Sequence, residues 1–169
     1  MRITHDHLRL TLAGFTGAAL LLSFVWAAIK QTRAATGPIV GLDDLILYAS
    51  QTGQAEAIAN LTAARLKAGG HKAAAVSARD VTPEALTSCR RLLVVAATAG
   101  EGEAPDDAFR FERDLMSQTL DLSAIGFSVL ALGDRSHGHF CAFGRRLDAW
   151  LTACGAQALR TCLEVDDLD

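Results

Sequence analysis

From about residue 40 onward, short apolar runs alternate with longer runs that place apolar residues at helical spacing. One short run, RLLVVAA at 91–97, is apolar without alternation, which is typical of a strand covered on both faces of a parallel sheet. The longer runs repeat apolar residues at i, i+3 and i+4, which is the pattern of a helix that packs on a sheet. The pattern predicts one doubly wound α/β domain. Its predicted strands are 45–49, 72–77, 91–97, 127–132 and 156–165, and its predicted helices are 54–67, 83–89, 105–117 and 139–154.

The N-terminal part of the chain carries a different pattern. Residues 10–29 are uncharged, and as a helix they would be about 30 Å long, roughly the thickness of the hydrocarbon core of a bilayer. They predict a single transmembrane helix, with Trp26 as an interfacial anchor. A cleaved signal peptide is the alternative, because Arg2 and Arg9 precede the apolar run and residues 25–27 could serve as a cleavage site. The run is longer than is usual for such a peptide, which favours the anchor.

These patterns divide the chain into an N-terminal tail (1–9), a transmembrane helix (10–29), a linker (30–38) and the α/β domain (39–169). The chain has 16 basic and 19 acidic side chains, and four of the basic and one of the acidic ones precede residue 37. The remaining 12 basic and 18 acidic side chains give the rest of the chain a net charge of −6. Such an acidic domain is a poor candidate for binding nucleic acid and a better one for docking a basic protein partner. Acidity that serves solubility alone is the alternative.

The four cysteines, at positions 89, 141, 154 and 162, form no CxxC pair and no metal-like grouping with histidine. We expect them to be small buried apolar residues of a protein in a reducing compartment. The sequence predicts no metal site.

Ligand chemistry is expected in the loops that follow the strands, because ligands of open parallel α/β sheets bind at the carboxyl ends of the strands. These loops are SQTGQAE (50–56), TAGEGEAPDD (98–107) and GDRSHGHF (133–140). The first offers the hydroxyls of Ser50 and Thr52 and free backbone N–H groups at the start of a helix, which suits a phosphate. A simple Ser/Thr helix cap is the alternative. Neither a nucleoside-triphosphate loop nor a dinucleotide fingerprint is present there.

In order and placement, the three loops resemble those of the flavodoxin-like FMN domains of diflavin reductases, of the sulfite reductase flavoprotein and NADPH–cytochrome P450 reductase type. The shared motifs are [ST]-x-T-G-x-[AT]-E at 50–56, GEGE-x-P-x-[DEN]-A at 100–108 and LGD-x-S-x-x-x-F at 132–140. The resemblance covers about residues 40–169. It implies a flavodoxin-like five-stranded parallel sheet of order 2-1-3-4-5 and FMN as the cofactor.

The resemblance also implies which residues hold FMN. Ser50, Thr52 and the backbone of the same loop would bind its phosphate. Residues 98–102 would wrap the isoalloxazine, with the Gly100 peptide near flavin N5, where a backbone flip accompanies reduction in this family. The segment from Leu132 onward would form the other wall. The full predicted set is Ser50, Gln51, Thr52, Gly53, Gln54, Ala55, Thr98, Ala99, Gly100, Glu101, Gly102, Leu132, Gly133, Asp134, His137, His139, Phe140 and Cys141.

The sequence departs from the family at the two positions that commonly place an aromatic ring against the flavin. Ala99 stands at the first and His137 at the second, where tyrosine is usual. Losing most of two aromatic contacts would weaken binding about tenfold or more. The imidazole of His137 is flat and can stack, and if protonated it would favour the reduced anionic flavin and make the potential depend on pH. A solvent-facing loop histidine is the alternative.

A second departure lies after the fifth strand, where the family's domain normally continues into another helix that packs on the sheet. Here the sequence ends at Asp169. We expect either that the chain is a piece of a longer reductase or that another polypeptide covers the exposed apolar face.

The resemblance implies an electron-transfer module, and the predicted transmembrane helix at 10–29 would tether it to a membrane. It would take electrons from an NADPH/FAD reductase domain or subunit and pass them singly to a haem or iron–sulfur acceptor. Its soluble domain would lie on the cytoplasmic side, where NADPH is supplied. No general base, nucleophile or metal set suggests independent catalysis, so the chain would be the FMN module of an oxidoreductase. Acidic residues near the expected flavin edge would steer basic partners, namely Glu101, Glu103, Asp106, Asp107, Glu164, Asp166 and Asp167.

Other functions on the same fold stay open at this stage. A degenerate flavodoxin-fold interaction domain that no longer binds FMN is the main alternative, because of Ala99, His137 and the missing helix. A phosphorylated receiver would need acids at the carboxyl ends of the first and third strands, where the sequence has none. A small phosphatase or kinase-like enzyme would need a nucleophile or metal ligands in the Ser50 loop, and these are also lacking.

Overall fold

The computed structural model describes residues 41–166. Strands and helices alternate along this part of the chain, as the apolar pattern predicts. The strands are β1 (Asp44–Ala49), β2 (Ala73–Ser77), β3 (Arg91–Ala97), β4 (Gly126–Gly133), β5 (Gln157–Ala158) and β6 (Leu163–Asp166). The α-helices are α1 (Gln54–Ala68), α2 (Pro83–Ser88) and α3 (Ala142–Ala153), and a π-helical segment spans Phe111–Leu115.

The strands form one parallel sheet in the order β2-β1-β3-β4-β5, with β6 also paired to β4. The predicted flavodoxin-like order 2-1-3-4-5 is therefore confirmed. In a parallel sheet the carboxyl ends of β1, β3 and β4 meet at one edge, so the three loops singled out by sequence lie at the same end of the domain.

The sheet carries helices on both faces. On one face α1 buries Ala55, Ala59 and Ala63, which lie on one side of the helix because they are four residues apart, against Ile46 and Val95. The other face carries the larger cluster, with the fully buried side chains Leu86, Leu92, Phe127, Phe143 and Leu147. The small alanine face of α1 lets this helix approach the sheet closely, while aromatic and leucine side chains fill the space beneath α2 and α3.

The sequence predicts the fifth strand as one continuous run over 156–165, and the structure differs from this prediction. It is broken into β5, which pairs with the start of β4, and β6, which pairs with Leu130–Gly133. Leu159 still donates its N–H to Phe127 O at 2.8 Å, and the chain then leaves the ladder until Leu163. The stretch ALRTCLE contains no glycine or proline that would signal the break.

The third predicted helix, 105–117, is corrected to a short segment. Ala108 donates its N–H to Pro105 O in a turn, and helix is limited to residues 109–115. Within it Phe111–Leu115 is π-helical, and Met116 N binds Phe111 O at 3.0 Å. That bond spans five residues, as in a π-helix. The Phe111 ring packs edge-on against the ring of Trp150 on α3, with centroids 5.7 Å apart, so tertiary packing holds the segment.

The predicted transmembrane helix at 10–29 lies outside the described residues. Over 41–166, no helix has both the length and the apolar character needed to cross a bilayer. By this finding the prediction of a single-pass, membrane-anchored localisation is wrong.

Helix α3 lies unusually close to β4 at one point. Gly144 faces Ala131, and a Cβ built on Gly144 would overlap the Cβ of Ala131 and lie 3.1 Å from its Cα. Both residues are fully buried or nearly so. The absence of a side chain at Gly144 therefore sets the distance between α3 and the sheet.

A candidate ligand site at the carboxyl end of the sheet

The loops after β3 and β4 form a cleft at the carboxyl end of the sheet. Its walls contain seven residues, and all seven belong to the site set predicted from sequence: Thr98, Gly100, Asp134, His137, His139, Phe140 and Cys141. The loop after β1 lies beside this cleft because its residues bond to the β3 loop. Asp106 N donates to the Gln51 side-chain oxygen at 3.4 Å.

The loop after β1 is shaped for an anion. Gly53 has φ +94° and precedes the first residue of α1, and its N–H donates to Ser50 Oγ at 2.9 Å. The first N–H groups of a helix have no carbonyl partner within the helix, and they carry the positive end of its dipole. Thr52 and Gln54 are exposed at the same point. This arrangement is the common phosphate-binding device of helix N-termini.

Asp107 fastens this loop to the interior. Ser50 donates its N–H to both carboxylate oxygens of Asp107, at 3.0 and 3.2 Å, and Ser77 Oγ donates to Oδ2 at 3.3 Å. Burial raises the pKa of the Asp107 carboxyl above its ordinary value, while these hydrogen bonds oppose the shift. The sequence predicts Asp107 as a helix-start residue and a surface charge; the structure corrects both roles, because the preceding turn directs the carboxylate inward.

Replacing Asp107 by asparagine is expected to raise the thermal unfolding temperature of the unliganded chain by a few degrees near pH 7. Because the pKa of the Asp107 carboxyl is raised in the folded state, this group stabilises the fold at a pH below its unfolded-state pKa. That stabilisation is lost as the pH rises through the folded-state pKa. Asparagine keeps an oxygen that accepts the Ser50 N–H and has no charge to desolvate.

Thermal unfolding of both proteins at about pH 7 and about pH 4.5 checks this, and the difference should shrink at the lower pH because protonated Asp107 resembles asparagine. Asp106→Asn, at the exposed neighbouring position, is the matched control and should show no such pH-dependent gain. A less stable Asp107→Asn chain near pH 7 would contradict the expectation.

The loop after β3 is a tight turn built on two glycines. Ala99 and Glu103 exchange backbone hydrogen bonds, each 2.9 Å long. Between them, Gly100 and Gly102 have φ of +48° and +113°, which other residues rarely adopt. At Gly102 a Cβ would also lie 2.9 Å from the His139 Cβ. Gly100 thus contributes bare backbone to one wall of the cleft, while Gly102 is buried against His139.

The loop after β4 carries His137 to the mouth of the cleft. Its Nδ1 lies 3.3 Å from a Glu101 carboxylate oxygen, and its Nε2 lies 3.8 Å from an Asp134 oxygen. About half of the His137 side chain is exposed. Hydrogen bonds from Ser136 hold the pKa of the Asp134 carboxyl below its ordinary value. His137 therefore links the two walls by ion pairs when protonated.

Three of the predicted site residues have side chains in the interior. Ala55 and Leu132 belong to the core cluster beneath α1. Leu132 O accepts the Thr98 N–H at 2.9 Å, so this residue supports the β3 loop. Cys141 is fully buried at the floor of the cleft with φ +54°, and its Sγ lies 3.3 Å from Ala131 O.

Two residues near the site were not found from the sequence. Arg146 on α3 donates from Nη1 to Gly102 O at 2.8 Å, and Glu112 binds the same guanidinium. The sequence indicated Glu112 only as a residue of a helical stripe, and Arg146 carried no signal at all.

The arrangement suits a flat ligand that bears a phosphate. Hydroxyls and helix N–H groups stand at one end, and a cleft between backbone and side-chain walls opens beside them. Within residues 41–166, no group of three or more histidine, cysteine or acidic side chains is placed to hold a metal ion.

Comparison with known proteins agrees with this geometry. The flavodoxin family matches residues 46–169. The chain is similar to the sulfite reductase [NADPH] flavoprotein alpha-component of Shewanella sp. strain ANA-3, with 43% identity over 159 residues, which is 88% of this chain and 26% of the relative. The same component of Bacillus subtilis strain 168 is 35% identical over 140 residues, 82% of this chain and 23% of the relative. The chain spans about a quarter of the length of these curated relatives.

Solved structures agree with the fold. Oxidised flavodoxin 2 from Bacillus cereus matches with a TM-score of 0.66 and 28% identity, over 73% of this chain and 84% of that chain. The flavodoxin of Streptococcus pneumonia TIGR4 matches with a TM-score of 0.65 and 28% identity, over 73% and 83%. The predicted flavodoxin-like fold is confirmed by these likenesses.

Proposed function

Since this chain belongs to the flavodoxin family, we propose that it is an electron-transfer module whose FMN takes electrons from a reductase and passes them singly to an acceptor protein. The family match and the sulfite reductase flavoproteins indicate FMN as the cofactor. The observation that carries the proposal is the placement of an anion-binding helix start beside a cleft lined in part by the bare backbone of Gly100, at one edge of the sheet.

In this proposal, the chain's own residues bind and orient FMN. The hydroxyls of Ser50 and Thr52 and the N–H groups at the start of α1 bind its phosphate. The loops 98–103 and 133–141 hold the ring and exclude water from its inner edge. When bound, FMN supplies the one-electron chemistry, and the protein tunes it through the hydrogen bonds and charges that surround the ring.

His137 and Ala99 make the ring site less aromatic than that of the resembling family. The imidazole of His137 provides a flat surface, and the carboxylates of Glu101 and Asp134 hold it at the mouth of the cleft. Ala99 has no aromatic ring, and its backbone N–H and C=O both form hydrogen bonds with Glu103. Binding would therefore depend more on the phosphate loop and on backbone contacts than on stacking.

The partners follow from the relatives, which are named as NADPH sulfite reductase flavoproteins. An NADPH/FAD-dependent reductase domain or subunit would supply electrons, and a haem or iron–sulfur protein would accept them. Not every acidic residue near the cleft is free to steer such partners. Glu164 pairs with Arg145, Asp166 with Arg135 and Glu101 with His137. Glu103 and Asp106 are therefore the better candidates among the described residues.

Titration of the full chain with FMN and with riboflavin tests the proposal. We expect FMN to bind at least tenfold more tightly, since a phosphate at a helix start adds charge-assisted hydrogen bonds. The bound flavin should then accept electrons in two separate one-electron steps in a spectroscopic reductive titration. A folded chain that binds neither ligand would contradict the proposal and favour the degenerate interaction domain, and His137→Tyr would then show whether the missing ring is the cause.

A further inference from the structure

The guanidinium of Arg146 connects three separate parts of the site. Its Nη1 donates to Gly102 O at 2.8 Å, while Nε and Nη2 both lie 2.8 Å from one oxygen of Glu112. Its Cζ lies 5.5 Å from the centre of the Phe143 ring. A single planar cation thus joins α3, the π-helical segment and the glycine loop after β3, and its fork geometry lets it serve both acceptors at once.

The glycine loop is fastened to α3 at its two ends and not in its middle. At the entrance, Thr98 Oγ1 accepts the Phe143 N–H at 3.3 Å. At the exit, Gly102 is buried and its carbonyl accepts from Arg146. Between them, Gly100 and Glu101 are exposed, and the Glu101 side chain contacts the half-exposed His137. The Gly100–Glu101 peptide is therefore the part of the loop with the fewest restraints.

We propose that Arg146 is a positioning residue for the cofactor: by holding the Gly102 carbonyl, it confines movement of the glycine loop to the Gly100–Glu101 peptide and so sets the loop geometry that FMN meets. This inference rests on the proposed function for its FMN part. A charged donor makes a stronger hydrogen bond than a neutral one, and Glu112 fixes the guanidinium where the bond forms. Arg146 itself lies behind the loop and acts on the ligand through it.

The neighbouring residue provides a matched control. Arg145 is also an exposed arginine of α3 with one acidic partner, because its Nη1 lies 2.9 Å from a Glu164 oxygen. It makes no hydrogen bond to the glycine loop. Arg145→Met and Arg146→Met therefore remove the same charge and the same kind of ion pair from adjacent positions of one helix. They differ in the bond to Gly102 and in the contact of the guanidinium with the Phe143 ring.

Amide hydrogen exchange of the FMN-free full chain is the first measurement. The N–H groups of Gly102 and Glu103 both donate to Ala99 O, so their exchange reports the closed loop. We expect exchange at these two amides to be at least about fivefold faster in Arg146→Met and unchanged in Arg145→Met. Arg146→Lys, which keeps a charged donor without the fork, should lie between wild type and Arg146→Met.

FMN affinity and the two one-electron reduction potentials are the second measurement. Arg146→Met should bind FMN about three- to tenfold more weakly and change the separation of the two potentials, whereas Arg145→Met should do neither. Equal behaviour of the two methionine variants in exchange and in FMN binding would overturn the inference. Glu112→Gln tests it a second time if Arg146→Met does not fold, and an unchanged loop there would also count against it. Failure of wild type to bind FMN would overturn the proposed function, while the exchange data would still judge the restraint on the loop.

Discussion

Replacing Thr52 by valine is expected to weaken FMN binding about 10- to 100-fold while riboflavin binding changes less than about twofold. The exposed Thr52 lies in the loop at the start of α1, one residue before Gly53. Valine keeps the branched shape of threonine and removes only the hydroxyl, which would donate to the phosphate. A hydrogen bond to a charged group contributes roughly 1.5 to 3 kcal/mol, and this range gives the predicted loss.

The control for this variant lies on α1, the helix that follows the loop. Thr62 donates its hydroxyl to Ile58 O at 2.8 Å, two turns away from the loop, so Thr62→Val makes the same chemical change without touching the site. Fluorescence titration of the flavin measures all affinities. An equal loss for FMN and riboflavin in Thr52→Val would show that the residue serves the ring or the fold and does not bind the phosphate.

Replacing Gly144 by alanine is expected to lower the free energy of unfolding by about 1 to 2 kcal/mol. Alanine favours a helix over glycine by roughly 1 kcal/mol, which by itself would stabilise α3. Against this, the new methyl group would overlap the buried Ala131 of β4 and lie 3.1 Å from its Cα. Neither atom belongs to a flexible side chain, so α3 must move off the sheet, and overpacking of this kind costs roughly 1 to 3 kcal/mol or more.

Urea denaturation measures this loss, with Gly138→Ala as the control. A Cβ at Gly138 would meet no atom within 4 Å, so that variant should stay within about 0.5 kcal/mol of wild type. Because α3 also carries Phe143 and Arg146, which hold the glycine loop, we expect Gly144→Ala to weaken FMN binding as well. A variant as stable as wild type would mean that the helix can move at no cost.

Elements with a purely local signal were predicted well from the sequence. β3 has the predicted bounds because the six residues after Arg91 are all apolar and mostly buried. α1 ends one residue beyond its prediction, before Gly69 and Gly70, which stop the helix. The cleft residues were found because three short motifs follow three adjacent strands, and the sheet order brings them together.

The remaining features depend on contacts between residues far apart in sequence. The bond between Ser50 and Asp107 joins residues 57 apart, and the bond between Arg146 and Gly102 joins residues 44 apart. The helical spacing in 105–117 is real, yet the inward turn of Asp107 and the packing of Phe111 on Trp150 decide its geometry. Helix and strand propensities depend on neighbouring residues and do not report these long-range contacts. Here the long-range contacts outweigh the local propensities.

The break in the fifth strand also bears on how the chain behaves at high concentration. Within residues 41–166, β5 and β6 form one outer border of the sheet, and the apolar side chains of Leu159 and Leu163 are about half exposed there. An uninterrupted border of unpaired N–H and C=O groups invites strand addition from a second molecule. Here the border offers two residues, an irregular stretch and four more. A strand of a second molecule thus finds no continuous row of hydrogen-bonding groups to pair with. The break therefore protects this partly apolar sheet edge from self-association.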